Sequence, residues 1–307
     1  MKVLRTLWVF ASVTLLSCTA MDINVPAIGD GEGNAQLPGK VIWHELLTDS
    51  PEQSQAFYAE LFGWEFEALA DKRLNYLMIR HQGKLIGGMI DQTRLGNQVD
   101  ISQWVSLIAV ADIEKAAASV DSGGGTVFTP PTSLGERGEI AIVADAQGAL
   151  FAILEGPMGE PADGSRGQVP ASGDFLWDEL WTVDIAAAGE FYSALAPYEV
   201  STKTPGQGEI AVDYKVLNSQ GRMRMGIRSN PIEGLPPIWV NYLRVEDLEQ
   251  LERILKRVEP LGGEILMPSV ERPGGGSMAI IAGPSGAGIA LQTWPDDDKF
   301  AMPEGES

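Results

Sequence analysis

Two short strings carry the residues best suited to chemistry. Trp43-His44-Glu45 recurs as Trp177-Asp178-Glu179, each inside an apolar run of strand-forming composition. Side chains alternate across a strand, so each Trp shares a face with its Glu, while His44 or Asp178 faces the other way. A carboxylate beside an apolar wall is poorly solvated, which raises its pKa. Such a group can serve as a general acid or sit in a cation-binding cage. It can equally accept backbone N–H bonds and lock the first strand. Retention in both copies favours the structural use. Glu45 is the better functional candidate of the two, because His44 beside it has no histidine counterpart. His44 itself suits a metal ligand or a base titrating near neutrality, or else a half-buried strand histidine. The sequence names no catalytic residue outright; His44 and Glu45 are its candidates.

Aromatic residues recur at matched places as well. Tyr76 lies seven residues before Gly83 and Tyr214 seven before Gly221, while Trp104-Val105 returns as Trp239-Val240. Aromatics lining a sheet cavity can stack on a flat or cationic ligand, or they can be core. The candidate ligand-binding set is therefore Trp43, Glu45, Tyr76 and Trp104 with Trp177, Glu179, Tyr214 and Trp239.

These residues are positioned by an internal repeat. Phe57-Tyr58 follows Trp43 at the same spacing as Phe191-Tyr192 follows Trp177. Asp112-Ile113-Glu114 matches Asp247-Leu248-Glu249, and Gly124-Gly125 matches Gly262-Gly263. Within the first copy an apolar run meets Asp49-Ser50-Pro51, a helix start. Gly63 can end that helix, and three β-prone runs follow. His81-Gln82-Gly83 reads as a hairpin turn, which leaves His81 solvated. The order then restarts at Gln103, with Asp112 as a helix cap. The expectation is α+β: four βαβββ units in two paired modules, 40–156 and 174–294, joined by a Gly- and Pro-rich linker at 157–173.

Composition narrows the function classes. The 307 residues include 42 acidic against 22 basic, a net charge of −20, which excludes a nucleic-acid partner. The single cysteine, Cys18, excludes an internal disulfide and any multi-cysteine zinc site. No G-x-S-x-G elbow or complete P-loop is present.

The N-terminus reads as an address. Lys2 and Arg5 precede an apolar run at 6–16, too short to span a bilayer and of the right length for a signal segment. Leu15-Leu16-Ser17-Cys18 resembles a bacterial lipobox. That implies a signal peptide at 1–17, acylation of Cys18 and a membrane partner reached through the lipid. Thr19 in place of Asp implies the outer membrane of the cell envelope, facing the periplasm. Residues 18–39 read as a flexible tether and 295–307 as an acidic tail.

Phe57-Tyr58-x-x-Leu61-Phe62-Gly63-Trp64 and the turn Asp145-Ala146-Gln147-Gly148, set within four βαβββ units, resemble the vicinal oxygen chelate superfamily. That superfamily includes glyoxalases, bleomycin- and fosfomycin-resistance proteins and extradiol dioxygenases. The resemblance implies curved, cavity-forming mixed sheets, with modules pairing within a chain or in a homodimer. Its enzymes hold a divalent metal through strands one, five and eight. Here those positions fall at or beside Trp43 and Trp177, on Trp104-Val105-Ser106 and Trp239-Val240-Asn241, and on Ala152 and Ala290. An alanine ligates nothing, and Glu155 has the opposite strand parity to Ala152. The expectation is therefore no metal and no cofactor, with an unidentified small molecule bound in the manner of the resistance proteins. A metal-dependent lyase or dioxygenase is the alternative, and a protein-interaction module with filled cavities a further one.

Overall fold

A computed structural model describes residues 24–28, 35–70, 75–95, 100–164, 168–203, 214–272 and 275–293. The expected signal peptide at 1–17, Cys18, much of the expected tether and the expected acidic tail lie outside the described residues.

Module one runs β1 (Val41–Thr48), α1 (Pro51–Phe62), β2 (Glu65–Ala68), β3 (Tyr76–His81) and β4 (Lys84–Asp91). It continues through β5 (Gln103–Ala109), α2 (Ile113–Ser122), β6 (Thr126–Ser133), β7 (Glu139–Ala144) and β8 (Leu150–Glu155). Module two repeats this as β9 (Phe175–Thr182), α3 (Ile185–Leu195), β10 (Glu199–Lys203), β11 (Tyr214–Ser219) and β12 (Arg222–Ser229). Its second unit is β13 (Ile238–Val245), α4 (Leu248–Val258), β14 (Glu264–Glu271), β15 (Ser277–Ala282) and β16 (Gly288–Thr293).

Local sequence explains the boundaries. Pro51 opens α1, and Gly63 closes it in the left-handed region at φ 71°. Asp112, Asp184 and Asp247 each accept from a backbone N–H in the first turn of α2, α3 and α4, a cap worth about 1 kcal/mol. Gln82-Gly83 and Gln220-Gly221 turn their hairpins with positive φ at both residues, the backbone that a tight two-residue hairpin needs.

Each module forms one eight-stranded mixed sheet. The orders are β2-β3-β4-β1-β5-β8-β7-β6 and β10-β11-β12-β9-β13-β16-β15-β14. The central strands β1 and β5 pair antiparallel, each with a parallel partner beyond, β4 and β8. One face of each sheet carries the helices, and these faces meet. The first half of module one shares a core with the second half of module two: Phe57, Tyr58 and Trp64 pack with Leu251, Val258 and Ile281. The other two halves share a second core, in which Val120 and Phe151 meet Tyr192 and Leu217. The opposite, concave faces hold two smaller clusters, one around Trp43, Val105 and Ala152, the other around Trp181, Tyr242 and Ala290.

Two expectations change here. His81 is buried rather than solvated, because its hairpin turn packs on module two, where Nδ1 bonds Asp174 Oδ1 at 2.5 Å. The segments expected as free tether and linker are also packed where described. Val25 and Ile28 are buried, and Ala35 bridges Glu160, which is itself only 1 % exposed. Apolar side chains inside Gly-rich text give these segments something to bury.

Candidate functional site

Strand alternation places Trp43 and Glu45 on the concave face of module one, and His44 on the helical face. Trp43 Nε1–H donates to Glu45 Oε1 at 2.8 Å, and Tyr76 O–H donates to the same oxygen at 2.6 Å. Arg137, from the turn after β6, lies with its guanidinium carbon 4.2 Å from the Trp43 ring centroid. Its Nη1 donates to Tyr76 Oη at 3.0 Å and stands 3.7 Å from Glu45 Oε1. Gly88, opposite Glu45 on β4, makes room for this cluster. A Cβ there would sit 2.1 Å from Tyr76 Oη and 2.3 Å from Glu45 Oε2.

Module two builds a related cluster with different donors. Glu179 Oε2 accepts from Trp181 Nε1–H at 2.6 Å and from Tyr242 O–H at 2.8 Å, with Arg228 Nη1 at 3.9 Å. Trp177 Nε1–H donates to Tyr214 Oη at 2.9 Å, above Gly226. The clasping indole thus lies two residues before the Glu in module one and two after it in module two. Arg272 adds positive potential at Tyr214 and Tyr242. Burial pushes the Tyr76, Tyr214 and Tyr242 hydroxyls well above the usual phenol range, so all three keep their protons and donate.

The two faces differ in access. Trp43, Tyr76 and Arg137 are buried, Arg137 at 2 % exposure. Trp177, Tyr214 and Arg272 are half-buried, and the Arg228 side chain is 25 % exposed.

Burial raises the Glu45 carboxyl from 4.5 to about 7, against the lowering pull of Arg137 and of the Tyr76 and Trp43 hydrogen bonds. The folded protein therefore holds this proton more tightly than the unfolded chain does. The stability it gives is whole below pH 4.5 and is lost as pH rises through about 7. A shift of this size corresponds to roughly 3 kcal/mol. Denaturant unfolding across that window should show wild type losing stability relative to Glu45→Gln, which is neutral throughout. Parallel pH profiles would show that Glu45 titrates normally.

His44 is not part of either concave face. Its Nε2 bonds Asp178 Oδ1 at 2.8 Å, and its ring stacks on Phe175 with centroids 3.6 Å apart. Asp178 Oδ1 also accepts from Ser106 Oγ at 2.9 Å and Asn241 Nδ2 at 2.6 Å. All four residues are buried between the modules. Trp104 and Trp239 likewise lie on the helical faces, donating to Tyr58 and Tyr192 hydroxyls. Their strand parity is opposite to that of Val105 and Val240, so neither belongs with the concave ligand-binding candidates. The candidates that do come together are Trp43, Glu45 and Tyr76, and Trp177, Glu179 and Tyr214.

Sequence reasoning missed Arg137, Trp181, Arg228, Tyr242 and Arg272. Trp181 and Tyr242 were accessible to it through strand parity. Arg137 and Arg272 follow edge strands in irregular backbone, where no periodicity marks them.

The row facing across β1, β5 and β8 reads Trp43, Leu107, Ala152, and its equivalent reads Trp177, Tyr242, Ala290. Glu155, on the other face, accepts from Ile113 N–H at the start of α2. Among the described residues no group of three His, Cys, Asp or Glu is placed to hold a metal ion. Glu45 and Glu179, one row away, each face a guanidinium that opposes a cation. This donor set does not fit a divalent metal.

No protein-family model matches the chain. It is 24% identical over 247 residues to the putative glyoxylase CFP32 of Mycobacterium tuberculosis, covering 80% of this chain and 91% of that protein. It is 27% identical over 275 residues to the anthracycline biosynthesis protein DauV of Streptomyces sp. strain C5, covering 83% and 93%. Among solved structures, the Mn(II)-bound glyoxalase of Novosphingobium aromaticivorans superimposes with TM-score 0.56 at 15% identity, over 84% of this chain and 83% of that one. An extradiol ring-cleaving dioxygenase from B. fuscum gives TM-score 0.56 at 12% identity, over 89% and 76%. Paired βαβββ units and these likenesses define a vicinal oxygen chelate fold. The chain has this fold in two modules and is similar in sequence to a putative glyoxylase.

Proposed function

We propose that this protein binds a small molecule without a metal and sequesters or carries it, anchored in the bacterial envelope by a lipid on Cys18. The concave face of module two carries the reading. There two indoles, two phenols and the Arg228 guanidinium surround one carboxylate, and part of that surface is open to solvent. Arg228 and Arg272 outnumber Glu179 on this face, although the chain as a whole is strongly acidic. The chemistry suits a flat, anionic ligand, stacked on the aromatic rings and paired with arginine. Native mass spectrometry and elemental analysis of the purified protein test this. A co-purified organic anion, lost in Arg228→Ala and accompanied by no stoichiometric metal, is expected.

A second reading, a metal-dependent lyase or dioxygenase, is favoured by the structural neighbours, among them a Mn(II)-bound glyoxalase and a ring-cleaving dioxygenase. A stoichiometric metal in that preparation would carry it and overturn ours.

The anchor is tested separately. No described helix is long and apolar enough to cross a membrane; the proposed attachment is through acyl chains on Cys18. Wild type should enter the detergent phase on partitioning and Cys18→Ser should not. Equal partitioning would remove the lipid from the proposal.

A further inference from the structure

The concave face of module one is covered by the chain's own residues 24–28. Val25 sinks among Leu69, Tyr76 and Met78, and Ile28 packs with Trp43 and Leu47. Polar contacts fix the crossing. Val25 N–H donates to Leu134 O at 2.9 Å, Glu136 N–H to Asn24 Oδ1 at 2.8 Å, and Arg137 Nε to Pro26 O at 2.9 Å. Gly135 permits the approach, since a Cβ there would meet Asn24 Oδ1 at 2.2 Å.

Beneath this segment, Glu45 Oε2 and Arg137 Nη2 are buried with no hydrogen-bond partner. Trp43, Tyr76 and Arg137 are each at most 4 % exposed. An acceptor and a donor of opposite charge are thus held ready and closed off. The matching residues of module two, Trp177 and Tyr214, are half-buried among the described residues.

We infer that residues 24–28 are an autoinhibitory strap, an internal occupant of the module-one site that must leave before any ligand reaches Glu45 and Arg137. The modules of one chain then differ in access at matched aromatic positions: Trp177 and Tyr214 of module two are half-buried, while Trp43 and Tyr76 of module one are covered from the N-terminal side. The ligand part of this inference rests on the binding function proposed above. The closure does not, and the test reads closure alone.

Hydroxyl-radical footprinting of the full chain compares labelling rates residue by residue. Trp43 and Tyr76 should label several-fold more slowly than Trp177 and Tyr214. In Val25→Asp/Ile28→Asp they should rise to the module-two rates, while Trp104 and Trp239 stay protected. If Trp104 also labels, that variant has lost its core. The comparison is then made on protein with a protease site placed in 29–34, cut after folding and separated from the strap peptide. Equal rates in wild type would overturn the inference, as would Trp43 and Tyr76 remaining protected once the strap is displaced or removed.

Discussion

Replacing Asp178 by alanine should cost roughly 3–5 kcal/mol, the range for stripping a charge from a buried, fully bonded cluster. One oxygen, Oδ1, accepts from His44, Ser106 and Asn241. Alanine leaves three buried donors without that acceptor, in a seam sealed on both sides by the shared cores. Asp178→Asn preserves an oxygen at the site and should lose less. Because the cluster joins the modules, unfolding of Asp178→Ala should also become less cooperative, with module transitions drawing apart. Urea melts followed by tryptophan fluorescence and by circular dichroism check both points. A shift under about 1 kcal/mol, the size of an ordinary single hydrogen bond, would show that the cluster is not what holds the seam.

Glu45→Ala should be the second most damaging change, at about 3 kcal/mol. It removes the acceptor shared by Trp43 and Tyr76 and, above about pH 7 where Glu45 is ionised, leaves Arg137 buried without its countercharge. Glu179→Ala should cost less, because Arg228 reaches solvent and can rehydrate. A similar loss at both sites would contradict that difference in access. The double change Glu45→Leu/Arg137→Leu discards both charges together and should recover part of the loss, since apolar replacements of buried pairs are often tolerated. Thermal melts of the four proteins decide the order.

Much of this was legible because the repeat writes the same text twice. Trp43/Trp177, Phe57-Tyr58/Phe191-Tyr192 and the caps Asp112/Asp247 give strand, helix and start signals that agree between copies. Strand parity placed Glu45 and Glu179 correctly relative to His44 and Asp178. Parity also bears on Trp104 and Trp239, but it separates faces without saying which face is concave. That depends on sheet curvature and on which sides the modules press together, and both are long-range. His81 was misread because a hairpin turn is solvated only when nothing docks on it, and here module two does. The strap could not be read at all. Val25 and Ile28 sit in text with no period, and their burial depends on a groove built by residues far along the chain.

The seam between the modules has a consequence for ancestry. His44 and Asp178 occupy one repeat position, as do Ser106 and Asn241, and each pair bonds across the seam. Equivalent residues meet only on the pseudo-twofold axis. A dimer of two first modules would set histidine against histidine there, and a dimer of two second modules aspartate against aspartate. The His44–Asp178 pair is the one that favours unlike modules, since a buried aspartate pair repels. Divergence at these axial positions after duplication works as a ratchet: once one copy held histidine and the other aspartate, neither could return to self-assembly without loss. Expressed as separate polypeptides, the two halves should therefore select each other over themselves.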